Sequence, residues 1–317
     1  MFGFTSDALI PGRDIAIIGA GAVGSSLAGR LAHCGFRVAA VISSRMEPAR
    51  ELADAVGADV ASTEVADLPE AVQAVFICVP DDEITSVTTA LATVVHAWPR
   101  TIVAHTSGAQ SADILRPIAK EGAAVVSFHP MQTFPEPDPD AFRGIHVGVE
   151  GHDDGVAYGE AVAERIGSAP IRLTAEEKTR VHCAAALASN GLTALVAVVH
   201  EILNDAGLDR DQAMQVVEPL VDQTWHNLKE DPPETALTGP IVRGDAGTIQ
   251  DHVTALRASL PHLLPVYAAV ATEQIRVAVR SGRLAPNAAG AILDIVQGAV
   301  APAGPETPNS DVPVTDA

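Results

Sequence analysis

A chain of 317 residues with a formal net charge of −20 suits neither nucleic acid nor an anionic membrane as a partner, because both repel a strongly acidic surface. Apolar residues make up 47% and aromatic residues only 3%, so a sizeable core of Ala, Val, Leu and Ile is expected, and the length allows two domains. The three cysteines, Cys34, Cys78 and Cys183, are odd in number, widely separated and without a C-x-x-C pair, which sets aside a disulfide framework and points to reduced thiols in the cytoplasm.

The opening residues MFGFTSDALIPGRD carry no basic segment leading into an apolar stretch, so no signal peptide is expected and residues 1–12 read as an N-terminal extension. From Asp14 short apolar runs alternate with helical stretches. The predicted strands are 15–19, 36–43, 59–62, 74–79, 101–105 and 123–128, with 144–150 and 169–174 closing the domain. Continuous β-branched runs suit strands covered on both faces. Strand-helix alternation predicts an α/β fold: a doubly wound parallel sheet over residues 13–174. After Thr174 the strand signals stop. Thr174 with Glu177 makes a capping box that opens a helix, and helical periodicity then runs through 175–300, broken at Asp231-Pro232-Pro233 and Gly239-Pro240. The apolar run 183–199, interrupted by Ser189, Asn190 and Thr193, reads as a buried helix rather than a membrane span. Residues 301–317, rich in Pro and acidic residues, read as a disordered tail.

The first strand runs into IAIIGAGAVGSS, which places Gly19, Gly21 and Gly24 in G-x-G-x-x-G order. A lone match is weak, but here it joins a strand to a helix inside the first βαβ unit. Gly19 permits the tight turn, Gly21 lets backbone approach a pyrophosphate, and Gly24 permits close packing of helix on strand. The amides at Ala22 and Val23 open the helix that receives the anion. The second strand ends in Ser43, Ser44 and Arg45 with no acid for a ribose 2′-hydroxyl. Two hydroxyls and a guanidinium suit a 2′-phosphate, so NADP(H) is the expected cofactor; the alternative is that Arg45 is a solvated loop charge. CVPDDEI ends another strand, and backbone at Val79 and Pro80 is expected beside the nicotinamide ribose.

Two further strand ends are polar, HTSGAQ (105–110) and SFHPMQTF (127–134). Ser107 and Gly108 are candidates to meet a substrate carboxylate, and His129 and Gln132 to line the same mouth. His129 could equally be structural, and His105 is the more structural of the two. Only three of the twenty basic residues are lysines, and one of them, Lys178, stands in the first turn after the capping box. Arg stays protonated, whereas Lys can be tuned to give up a proton. On an α-helix Lys178 and His182 fall roughly 40° apart, Ser189 roughly 20° from Lys178 and Asn190 about 120° away. The stripe suggests a lined pocket; the alternative is an exposed lysine paired with Glu176 or Glu177. Gly239-Pro240 and Arg243 in GPIVRGD could aim a guanidinium at an anion, or Arg243 could pair with Asp245 or Asp251. The eleven histidines form no metal-ligand pattern.

A glycine-fingerprint domain followed by helices, with Lys178 and a polar residue four positions on, resembles the 6-phosphogluconate and β-hydroxyacid dehydrogenase superfamily and the ketopantoate reductases. In those families the lysine moves the proton at the substrate oxygen and the residue four later, usually Asn, orients substrate; His182 takes that place here. HTSGA, SFHPMQTF, the Lys178–Asn190 helix and GPIVRGD with His252 are more closely similar to proteins described as Rossmann-like with a DUF2520 C-terminal domain. The resemblance implies an NADPH-dependent reductase with its site in a cleft between two domains, Lys178 as proton donor, His182 and Asn190 orienting substrate, and Ser107, Ser189 or Arg243 contributing to its binding. It implies a small 2-keto acid, 2-ketopantoate first, and a homodimer through the helical domain. Imine reduction in the manner of pyrroline-5-carboxylate reductases is an alternative. A non-catalytic NADPH sensor is another, and a salt bridge from Lys178 to Glu177 would favour it. His-Pro-Met alone suggests a prephenate-dehydrogenase-like oxidation.

Overall fold

The computed structural model describes residues 13–300; the expected N-terminal extension and disordered tail lie outside them. The chain divides into two compact units between Asn190 and Gly191. The first holds eight strands: β1 (Asp14–Ile18), β2 (Arg37–Ile42), β3 (Val60–Ser62), β4 (Val72–Ile77), β5 (Ile102–His105), β6 (Ala124–Pro130), β7 (His146–Gly151) and β8 (Ala169–Arg172). Their spatial order is β3-β2-β1-β4-β5-β6-β7-β8. Its helices are α1 (Ala22–His33), α2 (Met46–Val56), α3 (Ile84–Leu91), α4 (Arg116–Lys120), α5 (Asp153–Arg165) and α6 (Ala175–Ala186).

The sheet is doubly wound. Alternate residues of β1 enter opposite cores: Ile15 and Ile17 pack with Leu27 and Leu31 of α1 and Leu52 of α2, while Ala16 and Ile18 pack with Ile84 and Leu91 of α3 and Ile118 of α4. Both faces are therefore covered, which is why the strands read as unbroken apolar runs. One pairing departs from the expected parallel sheet. β7 runs antiparallel to β6, with Val126 opposite Gly151 and Pro130 opposite Val147. A parallel return needs a helical crossover, and the segment between these strands supplies only a single 3₁₀ turn, Pro139–Phe142. α5 then crosses over and β8 pairs parallel with β7. The order reverses at β1, so the β1 and β4 loops flank the switch point where ligands bind in such sheets.

The second unit contains α7 (Leu192–Asp205), α8 (Arg210–Glu230), α9 (Pro233–Ala236), α10 (Ala246–Ser259), α11 (Leu264–Arg280) and α12 (Pro286–Val300). Its core is built from Ile249, Ile275, Ile292 and Val296 with small residues Ala268 and Ala271 between them. The expectation of a buried helix across 183–199 is corrected here: α7 has no buried residue, and Leu192, Leu195 and Val199 stand exposed. By length and composition alone, the helical run Ala175–Asp205 could also cross a membrane. Its regular winding is interrupted by a π-helical turn, Leu187–Gly191.

Candidate functional site

Two cavities, each of about 400 Å³, open along the carboxyl ends of β1, β2, β4, β5 and β6 and share Gly21, Cys78, Val79 and Pro80. The first runs from Gly19 and Gly21 to Ser43, Ser44 and Arg45, with Thr63 on its wall. The glycines have separable reasons. Gly19 has φ +105°, and a methyl group on it would stand 2.3 Å from the Cys78 carbonyl oxygen. A methyl group on Gly24 would stand 1.9 Å from the Gly19 carbonyl oxygen, whereas one on Gly21 would have nothing within 4 Å. Gly21 is thus the open approach, and it N-caps α1 without a side-chain cap, leaving first-turn amides such as those of Ala22 and Val23 free of a side-chain partner. Glu83 is the sole carboxylate on this wall and Arg45 the sole cation among the described residues. The donor set fits a dinucleotide with a 2′-phosphate: α1 amides for the pyrophosphate, and Ser43, Ser44 and Arg45 for the extra phosphate.

The second cavity is lined by Ser107, Gly108, His129, Gln132 and His182, which the sequence singled out, and by Asp81 and Phe134, which it did not. Asp81 follows Pro80 in a 3₁₀ turn, and that strand-end position was its only sequence signal. Lys178 lies behind this wall. It is 2% exposed, and its Nζ donates to the Ser107 carbonyl at 2.7 Å. Burial pushes the ammonium down to about 8, against the opposing pull of Glu150 and Asp81. Glu177 does not pair with it. Its carboxylate accepts the Thr174 amide at 2.9 Å while Thr174 Oγ1 accepts the Glu177 amide at 3.2 Å, which completes the capping box, and Glu176 pairs with Arg180.

The three histidines differ. His105 is fully buried; its Nδ1 accepts the Ser107 amide at 3.2 Å, so its Nε2 carries the proton that reaches the Ser111 carbonyl at 3.2 Å. That is the structural role expected of it. Burial, then the Lys178 charge, push it down to about 3. The same causes and His182 push His129 down to about 4, so both rings are neutral at pH 7. His129 and His182 meet edge to face, with centroids 5.4 Å apart. A methyl group on Gly108 would stand 2.4 Å from His182 Nδ1 and 2.6 Å from His129 Nε2, so only glycine lets both rings close on this loop. His182 Nδ1 is buried without a partner.

Ser189 and Asn190 are not brought to this cavity. They sit in the π-helical turn, whose wider winding breaks the α-helical phase that aligned them with Lys178, and Ser189 Oγ donates to Asn190 Oδ1 at 3.3 Å. Arg243 belongs to the helical unit and is exposed. Asp245 there caps α10 by accepting the Thr248 amide at 3.1 Å; that bond, with lesser help from Arg243, holds its carboxyl below the usual range. The helical unit has its own cavity of about 460 Å³, lined mainly by apolar groups such as Leu228, Leu237, Val270 and Val277. Among the described residues no group of three or more His, Cys, Asp or Glu side chains is placed to hold a metal ion.

A Gly-rich turn at the switch point of a doubly wound sheet defines a dinucleotide-binding class of fold, and the comparisons agree. A Rossmann-like domain matches residues 4–130, and a domain of unknown function, DUF2520, matches residues 145–274. The chain joins a Rossmann-like domain to a DUF2520 domain. A Bacteroides fragilis protein described as an NADP oxidoreductase is 26% identical with a TM-score of 0.68, over 83% of this chain and 97% of that one. A Thermotoga maritima protein (24% identical, TM-score 0.67, 84% and 98% of the chains) shares the fold. So does the reductive aminase of Aspergillus terreus, solved with NADPH and ethyl levulinate (18% identical, TM-score 0.63, 88% and 98%). A search of curated protein sequences finds no match.

Proposed function

We propose that the chain is an NADPH-dependent reductase that adds hydride to the carbonyl carbon of a small substrate held in the second cavity. NADPH supplies the hydride; Gly19, Gly21, Gly24 and the α1 amides hold its pyrophosphate, and Ser43, Ser44 and Arg45 its 2′-phosphate. The observation that carries the reading is Lys178: a buried ammonium with its proton loosened to about 8, bonded to the loop that walls a cavity sharing Gly21, Cys78, Val79 and Pro80 with the nucleotide cradle. Such a group can give a proton to a forming alkoxide near neutral pH. A Lys178–Glu177 salt bridge would have favoured a cofactor sensor, and Glu177 is engaged elsewhere. The finer substrate assignment is a 2-keto acid, with 2-ketopantoate as the first compound to assay. Imine reduction is the second reading, favoured by one observation: the second cavity has the Asp81 carboxylate on its wall and no Lys or Arg among its lining residues, which suits an iminium.

The exposed apolar residues of α7, α8 and α11 support a homodimer joined through the helical unit, and the free cysteines Cys34, Cys78 and Cys183 suit a cytoplasmic protein. The test is NADPH oxidation with 2-ketopantoate and with 1-pyrroline, wild type beside Lys178→Met, plus NADPH and NADH affinities for Arg45→Ala. Ketone turnover that collapses in Lys178→Met, with NADPH still bound, supports the carbonyl reading. Arg45→Ala should weaken NADPH about tenfold or more and leave NADH unchanged, the loss of one charge-assisted contact. Tight NADPH binding without turnover of either compound would favour the sensor.

A further inference from the structure

The segment that follows β5, residues 106–112, is braced from three sides. His105 holds the Ser107 amide and the Ser111 carbonyl. Glu150 on β7 accepts the Ala112 amide at 2.8 Å. Lys178 on α6 holds the Ser107 carbonyl, and Gly108 rests against the rings of His129 and His182. These contacts fix one side chain in a particular state. Ser107 Oγ accepts the amides of Ala109 at 3.2 Å and Gln110 at 3.0 Å. A hydroxyl has two acceptor positions and one proton. Both acceptor positions are taken, so Ser107 has only its proton left to offer. The two amides polarise the oxygen and make that proton a stronger donor. Ser107 is also on the cavity wall, beside Thr106, Val79 and Pro80.

We propose that Ser107 is a catalytic residue: its hydroxyl donates to the oxygen that gathers negative charge during reduction, and Lys178 holds it in place through the Ser107 carbonyl. This rests on the reductase reading and deepens it. Hydride forms the new C–H bond as NADPH becomes NADP+, and the C=O π pair moves onto oxygen. The Ser107 hydroxyl stabilises that charge by a preorganised hydrogen bond without ionising. The oxygen then takes a proton that originates on the Lys178 ammonium, relayed by water because Lys178 lies behind the wall on the Ser107 carbonyl, leaving an amine that solvent reprotonates. Reduction of an iminium gathers no negative charge, so it gives Ser107 nothing to hold. The Ser107 hydroxyl therefore favours a carbonyl at the reacting atom, in opposition to the Asp81 carboxylate on the same wall, which favours an iminium.

The experiment compares wild type, Ser107→Ala and Ser107→Thr with 2-ketopantoate and with 1-pyrroline. Ser107→Ala should lower kcat for the ketone about 100-fold, the usual loss on removing one such donor, with KM and NADPH affinity within about threefold. Any 1-pyrroline turnover should fall by a much smaller factor than ketone turnover. Ser107→Thr, which keeps the hydroxyl, should recover most of the ketone rate. In a Lys178→Met background the serine change should add less than its full factor, because the two act on one group. A ketone rate within about twofold of wild type in Ser107→Ala overturns the inference. So does a parallel loss of ketone turnover, imine turnover and NADPH binding, which marks a structural role. If Ser107→Ala does not fold, Ser107→Asp replaces it, since a carboxylate accepts the two amides but has no proton to give. A wild type that reduces neither compound overturns the reductase reading itself and this inference with it.

Discussion

The sheet-bearing unit and the helical unit treat their apolar residues in opposite ways. In the first, the bulky side chains Phe76, Phe128, Phe142 and Tyr158 are almost wholly enclosed. In the second, the core is a thin seam of Ile, Val and Ala on α10 to α12, while Leu220 is 64% and Trp225 61% exposed. A chain that hides Phe so thoroughly in one place has no physical reason to leave Trp in water in another. The first unit has buried nearly all of its large apolar residues, with Val95, Ile171 and Leu187 as exceptions, while the second has completed only an inner layer.

The contrast can be broken by substitution. The largest effect should come from Phe128→Ala, which empties a site packed edge to face on Phe76 with centroids 5.5 Å apart; a loss of about 3–5 kcal/mol in chemical denaturation is expected. Next, Lys178→Met should lower ketone turnover at least about 100-fold, in the range for removing a general acid, with little change in NADPH affinity. Gly24→Ala should cost about 1–3 kcal/mol through overpacking and weaken NADPH binding, because either α1 or the Gly19 turn must shift. In pH-rate profiles, kcat should fall as pH rises through about 8, where Lys178 loses its proton. The same depressed value means that the unfolded chain binds more protons between about 8 and 10.5, so folding stability should rise across that window. The smallest effect sharpens the comparison: Leu220→Ala should change the stability of a monomer by less than about 0.5 kcal/mol. A larger loss that grows with protein concentration would show that a second copy covers α8.

The architecture was legible in the sequence wherever local signals sufficed. Unbroken apolar runs marked the strands, Gly19, Gly21 and Gly24 marked the cradle, and Thr174 with Glu177 marked the start of α6. Four features were not legible, because none is set by residue pattern alone. The reversal of β7 depends on what residues 131–145 fail to build, which no strand pattern reports. The partner of Lys178 lies 71 positions away, so spacing could raise its role but not choose between a pocket and the surface. The phase of Ser189 and Asn190 assumed uniform winding, and the π-helical turn at Leu187–Gly191 breaks it. The apolar character of α7 was visible, but composition cannot say whether a helix is covered by its own chain or by another.

Cys78 stands where the two cavities meet. Burial pushes its thiol up to about 12, so the reactive thiolate is scarce at neutral pH. Cys34 and Cys78 are both half-buried, and Cys183 is exposed. The three thiols therefore differ in setting: Cys183 is in the open, Cys34 follows the last turn of α1, and Cys78 lines the cavities with its proton held on. An alkylating reagent should label Cys183 first and Cys78 last, and the interval before Cys78 is labelled becomes a clock for how often its thiolate forms beside the cradle.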